Sequence, residues 1–241
     1  MARRRGGPRR AARTAITHPG RARRCGGRCL ARGPGVRGDA RRHRRGPLAA
    51  GNVTDVTAPV EVRIPQQRLQ RRVAVLAADI TRAYARTHPV FVTVLKGGTV
   101  FLADLVRHVG LPLSVDLLAI SGYREAGTAR IMKDLDLDIT GRHVLVVEDI
   151  VDTGLTMAYL LQVLAARRPA SLRVCTLLDR SVRRIADLPL DWVGFEVGDE
   201  FLVGYGLDWN ERLRQLPAIL AVHDASALEP DPERVAKQAL R

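Results

Sequence analysis

HVLVVEDIVDTGLTMAYLL, residues 143–161, is the stretch whose reading decides the fold. Residues 144–147 form an apolar, Val-rich run of the kind a parallel strand buried on both faces requires. Residues 155–164 space their apolar side chains as an amphipathic helix does. Between them lie Glu148, Asp149, Asp152, Thr153, Gly154 and Thr156. A turn at the carboxyl end of such a strand is where open α/β sheets bind ligands, and the amides opening the next helix, backed by Thr hydroxyls, make a phosphate cradle. Carboxylates repel phosphate, so these acids should face ribose hydroxyls, Mg²⁺ or a cationic transition state. A solvated acidic turn is the plainer reading, and the coincidence of so many specific residues argues against it.

Outward from this stretch, strands alternate with helices. Residues 63–86 carry Leu69, Val73, Leu76, Ile80 and Tyr84 at helical spacing, predicting a helix that starts after Pro65 and packs one sheet face. Residues 90–95 read as a strand, followed by Lys96-Gly97-Gly98 and a helix through Arg107. Strands are expected at 113–120, 172–178, 192–197 and 201–203, with a loop over the site at 121–129 and its returning strand at 130–133. The alternation predicts an α/β fold with a doubly wound, largely parallel sheet, without an internal repeat.

The 241 residues carry a formal charge of +14, which invites a nucleic-acid reading. The distribution argues otherwise. Residues 1–50 hold sixteen Arg and one acid, Asp39, so the remaining chain has 23 cationic side chains against 24 acidic ones. That first segment of Arg, Ala, Gly and Pro lacks apolar periodicity and is expected to be disordered. A nucleic-acid-binding arm, a transit peptide and translated upstream DNA all fit it. We favour the last: 36 Arg against three Lys points to a GC-rich genome, and no Met lies between Met1 and Met132, so a start near Val53 or Val56 is expected. The expected organisation is a tail over 1–58, one domain over 59–225 and an extension over 226–241. No apolar run approaches membrane-spanning length. Cys25, Cys29 and Cys175 give no disulfide framework and fit a reducing cytoplasm.

VVEDIVDTGLT resembles the phosphoribosyl-diphosphate (PRPP) signature of the type I phosphoribosyltransferases, and the wider pattern resembles their hypoxanthine-guanine branch. VLKGGTVFLADL (94–105), RIMKDLD (130–136), TLLDR (176–180) and DEFLVGYGLDWNERLRQLP (199–217) follow in the expected order. The resemblance implies a small hood bearing the base pocket, a homo-oligomer (dimer or tetramer), Mg²⁺ as cofactor, and PRPP and a 6-oxopurine as substrates.

Carried over residue by residue, it implies that Glu148 and Asp149 serve the ribose hydroxyls and the metal. Asp152 is the proton acceptor near purine N7, and Thr153, Gly154, Leu155 and Thr156 wrap the 5′-phosphate. Lys96, Gly97 and Arg214 contact pyrophosphate, and Asp208 is a metal-linked carboxylate. Phe201 stacks on the purine, the Leu202 backbone reads its edge, and Arg180 stands where the family has a Lys that donates to the 6-oxo group. Arg180 keeps the donor but is longer and planar. Gly122 and Tyr123 mark the mobile loop, where relatives carry Ser-Tyr, and the loop looks shorter than in many bacterial members. The retained Lys96 and Lys133, in a chain that otherwise uses Arg, hint at positions needing a compact ammonium. A regulator of this fold that binds nucleotide or RNA, and transfer to another base such as xanthine, are the alternatives.

Overall fold

The computed structural model describes residues 59–121, 130–229 and 231–241. The Arg-rich tail and the loop residues Gly122 and Tyr123 lie outside the described residues.

Six strands form the main sheet: β2 (Val90–Val94), β3 (Ser114–Ser121), β4 (Arg130–Lys133), β5 (His143–Val151), β6 (Ser171–Asp179) and β7 (Trp192–Glu196), in the order β4-β3-β2-β5-β6-β7. All neighbours are parallel except β3 and β4. Val144 to Val147 of β5 are fully buried because the pleat sends alternate side chains to two covered faces. Leu145 and Val147 join a core built on α1 (Gln66–Ala83) and α2 (Gly98–His108), with Leu69, Leu76, Ile80, Phe101 and Leu105. Val144 and Val146 join the opposite core with Met157, Leu160 and Leu164 of α3 (Leu155–Ala165).

This two-sided winding positions the site. The chain leaves β2 for α2 on one face and leaves β5 for α3 on the other, although β2 and β5 are hydrogen-bonded neighbours. The crevice between their carboxyl ends is therefore the topological switch point of the sheet. The β2–α2 turn meets the acidic end of β5 there, with Gly97 against Asp149, although some fifty residues separate them in sequence.

The expected elements appear close to their expected bounds, with one consequential difference. β5 runs on to Val151, pairing Glu148 with Thr176 and Ile150 with Leu178, so the acidic pair belongs to the strand and only Asp152 to Gly154 form the turn. β6 offers a continuous ladder there, and backbone pairing overrides the end of the apolar run.

A second, antiparallel sheet contains β1 (Val60–Ile64), β9 (Ile219–Val222) and β8 (Phe201–Val203), in the order β1-β9-β8. Its core joins Val60, Val203, Leu213, Leu216, Leu220 and Val222 to Leu228 of the 3₁₀ turn Ala225–Leu228 and Ala236 of α4 (Pro232–Ala239). β1, β9 and α4 are too short to give a periodic signal, and β9 is apolar at all four positions.

Candidate active site

The β5–α3 turn is a tight bend that opens straight into the helix. Gly154 takes φ 83° at the N-cap of α3, and a Cβ there would meet Leu188, Arg184 and the Ala186 carbonyl at 2.9–3.1 Å, so only glycine fits. The Thr153 carbonyl accepts from Ile185 (2.9 Å) and Ala186 (3.1 Å) amides, which anchors the turn. The helix-opening amides face a cavity of about 200 Å³ lined by Val94, Glu148, Asp149, Asp152, Thr153 and Thr156, among others. Leu155 opens the helix and is exposed.

Glu148 and Asp149 follow each other at the end of β5, and both line this cavity, with their carboxyl groups within reach of one another. Asp149 is 7% exposed, its Oδ1 accepts from the Ile150 amide at 2.8 Å, and a Cβ on Gly97 would strike its carboxylate. Glu148 Oε2 is buried without a partner. Burial, and next the charge of Asp149, pushes the Glu148 carboxyl well above the usual range. Burial raises Asp149 too, opposed by the Ile150 amide and by the charge of Arg214. Two buried carboxylates with an unfilled oxygen call for a cation or for hydroxyl donors. Among the described residues no three His, Cys, Asp or Glu side chains form a metal-holding group.

Asp152 is asymmetric. Its Oδ2 faces Arg180 Nη1 at 3.3 Å and Arg183 Nη1 at 3.9 Å, while its Oδ1 is buried and unpartnered, an open lone pair for a proton. Arg180 is 7% exposed; its Nε donates to the Gly198 carbonyl (3.1 Å) and its Nη2 to that of Glu200 (2.8 Å). The fork thus ties the acid turn to the segment entering β8. There Phe201 is 44% exposed and Leu202 is buried, on the outer strand of the small sheet.

At the other side of the crevice the Leu95–Lys96 peptide is cis. Lys96 Nζ lies 2.7 Å from Glu211 Oε2. Arg214 donates to the Gly206 carbonyl (2.7 Å), pairs with Asp208 Oδ1 (2.8 Å) and reaches Glu211 Oε1 at 3.4 Å. Asp208 Oδ2 accepts the Glu211 amide at 2.9 Å. Asp208 thus meets Arg214 through one oxygen and the Glu211 amide through the other. Tyr205, Asn210, Glu211 and Leu213 in this loop all have φ between 48° and 74°. Each such non-glycine residue costs about 1–3 kcal/mol and persists only where its surroundings hold it.

Sequence reasoning missed Trp209, whose ring packs edge-on to Phe201 at 5.6 Å between centroids. The signal available was an aromatic beside Asp208 in a chain with 4% aromatic residues. It also missed Arg183, paired with Asp199, and Arg184, which joins the Asp152 carbonyl (3.0 Å) to Asp179. Lys133 serves the fold: its ammonium donates to the Leu117 and Asp134 carbonyls and to Asp136 at 2.9–3.1 Å. Three diverging acceptors around one nitrogen explain a Lys where Arg is otherwise the rule.

The family model of the phosphoribosyl transferase domain matches residues 64–210. The hypoxanthine-guanine phosphoribosyltransferase of Bacillus subtilis is 43% identical over 163 residues, 66% of this chain and 91% of its own length. The hypoxanthine phosphoribosyltransferase of Haemophilus influenzae is 45% identical over 164 residues, 65% of this chain and 92% of its own. A crystal structure of a hypoxanthine-guanine phosphoribosyltransferase from Bacillus anthracis superimposes with a TM-score of 0.64 at 41% identity, covering 67% of this chain and 98% of that one. By this family model over most of the domain and by these similarities in sequence and fold, the chain belongs to the phosphoribosyltransferase family.

Proposed function

We propose that this protein transfers the 5-phosphoribosyl group of PRPP to hypoxanthine or guanine, giving IMP or GMP and pyrophosphate, in purine salvage. One observation carries the reading: at the sheet's switch point the Asp149 carboxylate packs closely on Gly97, so the acidic end of β5 and the β2–α2 turn lie side by side. The identity and coverage of the hypoxanthine-guanine relatives support the choice of base.

In this reading Thr153, Gly154, Leu155 and Thr156 bind the 5′-phosphate through amides and hydroxyls. Glu148 and Asp149 bind the ribose hydroxyls and would hold Mg²⁺, which would supply positive charge against that of the leaving diphosphate. Lys96, Gly97 and Arg214 hold that diphosphate, with Asp208 orienting Arg214. As the C1–O bond breaks, the acids stabilise the cationic sugar. Asp152, through its free Oδ1, takes the proton from N7 of the purine. Phe201 stacks on the base, the Leu202 backbone reads its edge, and Arg180 donates to the 6-oxo group, which disfavours adenine.

A homo-oligomer, dimer or tetramer, working in the cytoplasm completes the proposal. The described residues hold a reduced, buried Cys175 and no helix long and apolar enough to cross a membrane. The test is to incubate the full chain with PRPP, Mg²⁺ and hypoxanthine, guanine, xanthine or adenine, following pyrophosphate and nucleotide. Turnover with hypoxanthine or guanine is expected. Turnover with none of the four, or with adenine alone, refutes the reading.

A further inference from the structure

A loop with four non-glycine residues at left-handed φ needs an external restraint, and in this protein the restraint comes from the C-terminal elements. Within the loop, Trp209 and Arg212 exchange both backbone hydrogen bonds (3.0 and 2.9 Å), and the Gly206 amide donates to the Arg214 carbonyl at 3.0 Å. From outside, Leu213 is fully buried in one cluster with Leu228 and Ala236, and Trp209 and Val235 pack at its margin.

One polar clasp completes the attachment. Arg212 Nε donates to Glu233 Oε1 at 2.8 Å and Nη2 to Oε2, a two-pronged guanidinium–carboxylate pair. Glu233 stands in the first turn of α4, where the helix start favours an anion, and Asp231 caps that helix through the Arg234 amide at 3.1 Å. The carboxylate is thus fixed on its own element before it meets Arg212.

We propose that α4 and the 3₁₀ turn before it are a positioning element for both substrate subsites, acting through the Arg212–Glu233 clasp and the seat of Leu213. The connection is short. Next to Arg212 in the chain stands Glu211, which holds Lys96 and Arg214 on the diphosphate side, and bridged to Arg212 is Trp209, which touches Phe201 on the base side. Release of Arg212 frees the loop to leave its left-handed conformations, and the diphosphate cations lose their alignment with the β2–α2 turn. The inference rests on the transferase reading for the identity of the two subsites.

The test is a charge exchange across the clasp in the full chain, with Arg212→Glu, Glu233→Arg and the double variant. Each single variant should raise the KM for PRPP about fivefold, the scale of one partly exposed charge pair, leave kcat within about twofold, and raise the KM for hypoxanthine less. The double variant should restore the KM for PRPP. Independently of activity, hydrogen exchange at the amides of Gly206, Trp209 and Arg212 should accelerate in the single variants and recover in the double. Unchanged kinetics and unchanged exchange in the single variants would overturn the proposal, as would a uniform fall in thermal stability without a KM effect. An inactive wild-type chain whose loop amides still respond would count against the transferase reading and leave the clasp standing.

Discussion

Arg180→Lys installs the residue that the family resemblance implies and asks what the guanidinium does that an ammonium cannot. Three Arg180 nitrogens reach three acceptors on different sides of a planar fork: Gly198 O at 3.1 Å, Glu200 O at 2.8 Å and Asp152 Oδ2 at 3.3 Å. A single lysine nitrogen satisfies one of these positions well. Two hydrogen bonds from a charged donor are then lost, each worth about 1.5–3 kcal/mol where water is excluded. The 198–200 segment is half-buried, so water partly replaces the donor, and the net loss is about 2–3 kcal/mol. For a domain of this size each kcal/mol shifts Tm by about 2–4 °C, which places the variant roughly 4–12 °C below wild type. Arg180→Met should fall further, because Asp152 keeps only the more distant Arg183 as a counter-charge. Thermal melts followed by circular dichroism give the comparison. A lysine variant melting within about 1 °C of wild type would refute the three-acceptor account. Kinetics on the same proteins separate the second role: transfer to hypoxanthine should persist with Lys and be lost with Met.

Asp152→Asn keeps the shape of the side chain and removes the proton acceptor; transfer should slow by about two to four orders of magnitude with PRPP affinity retained, measured by calorimetry alongside steady-state rates. Glu148→Gln should stabilise the ligand-free protein while weakening Mg²⁺–PRPP binding. Burial holds the wild-type carboxyl well above its ordinary value of 4.5, so its contribution to stability is fully present below that pH and is lost as pH rises through the folded-state value. The Tm advantage of the glutamine variant should accordingly be negligible near pH 4 and grow toward pH 8, and a pH-independent difference would contradict the burial argument. Gly97→Ala drives a methyl group into the Asp149 carboxylate; strain of about 1–3 kcal/mol and a rise of at least tenfold in the KM for PRPP are expected, against little change for the exposed Gly110, where a Cβ meets only Thr81 at an ordinary 3.6 Å.

Most of the main sheet was legible because its signals are local. The run at 144–147, the helical spacing of Leu69, Val73, Leu76 and Ile80, and the Gly/Thr turn that opens a helix after Gly154 each act within a few residues, and all three appear in the structure as read. The small sheet was half legible: β8 stood out, whereas β1 and β9 are four- or five-residue strands whose pairing joins the two ends of the domain, Val60 to Val222. No periodic pattern of that length announces a partner so far along the chain.

By itself, then, the sequence determined the alternation of strands and helices, the Gly/Thr turn between them and the identity of the acids, since turn chemistry and hydrophobic period are properties of adjacent residues. Only the tertiary structure decided that Gly97 would lie against Asp149, that Arg214 would engage Asp208, that Trp209 would meet Phe201, and that α4 would clasp Arg212. It also decided that Lys133 holds carbonyls of the fold. These contacts depend on the order in which the strands assemble and on which faces the connections take, and that order is chosen by burial summed over the whole domain.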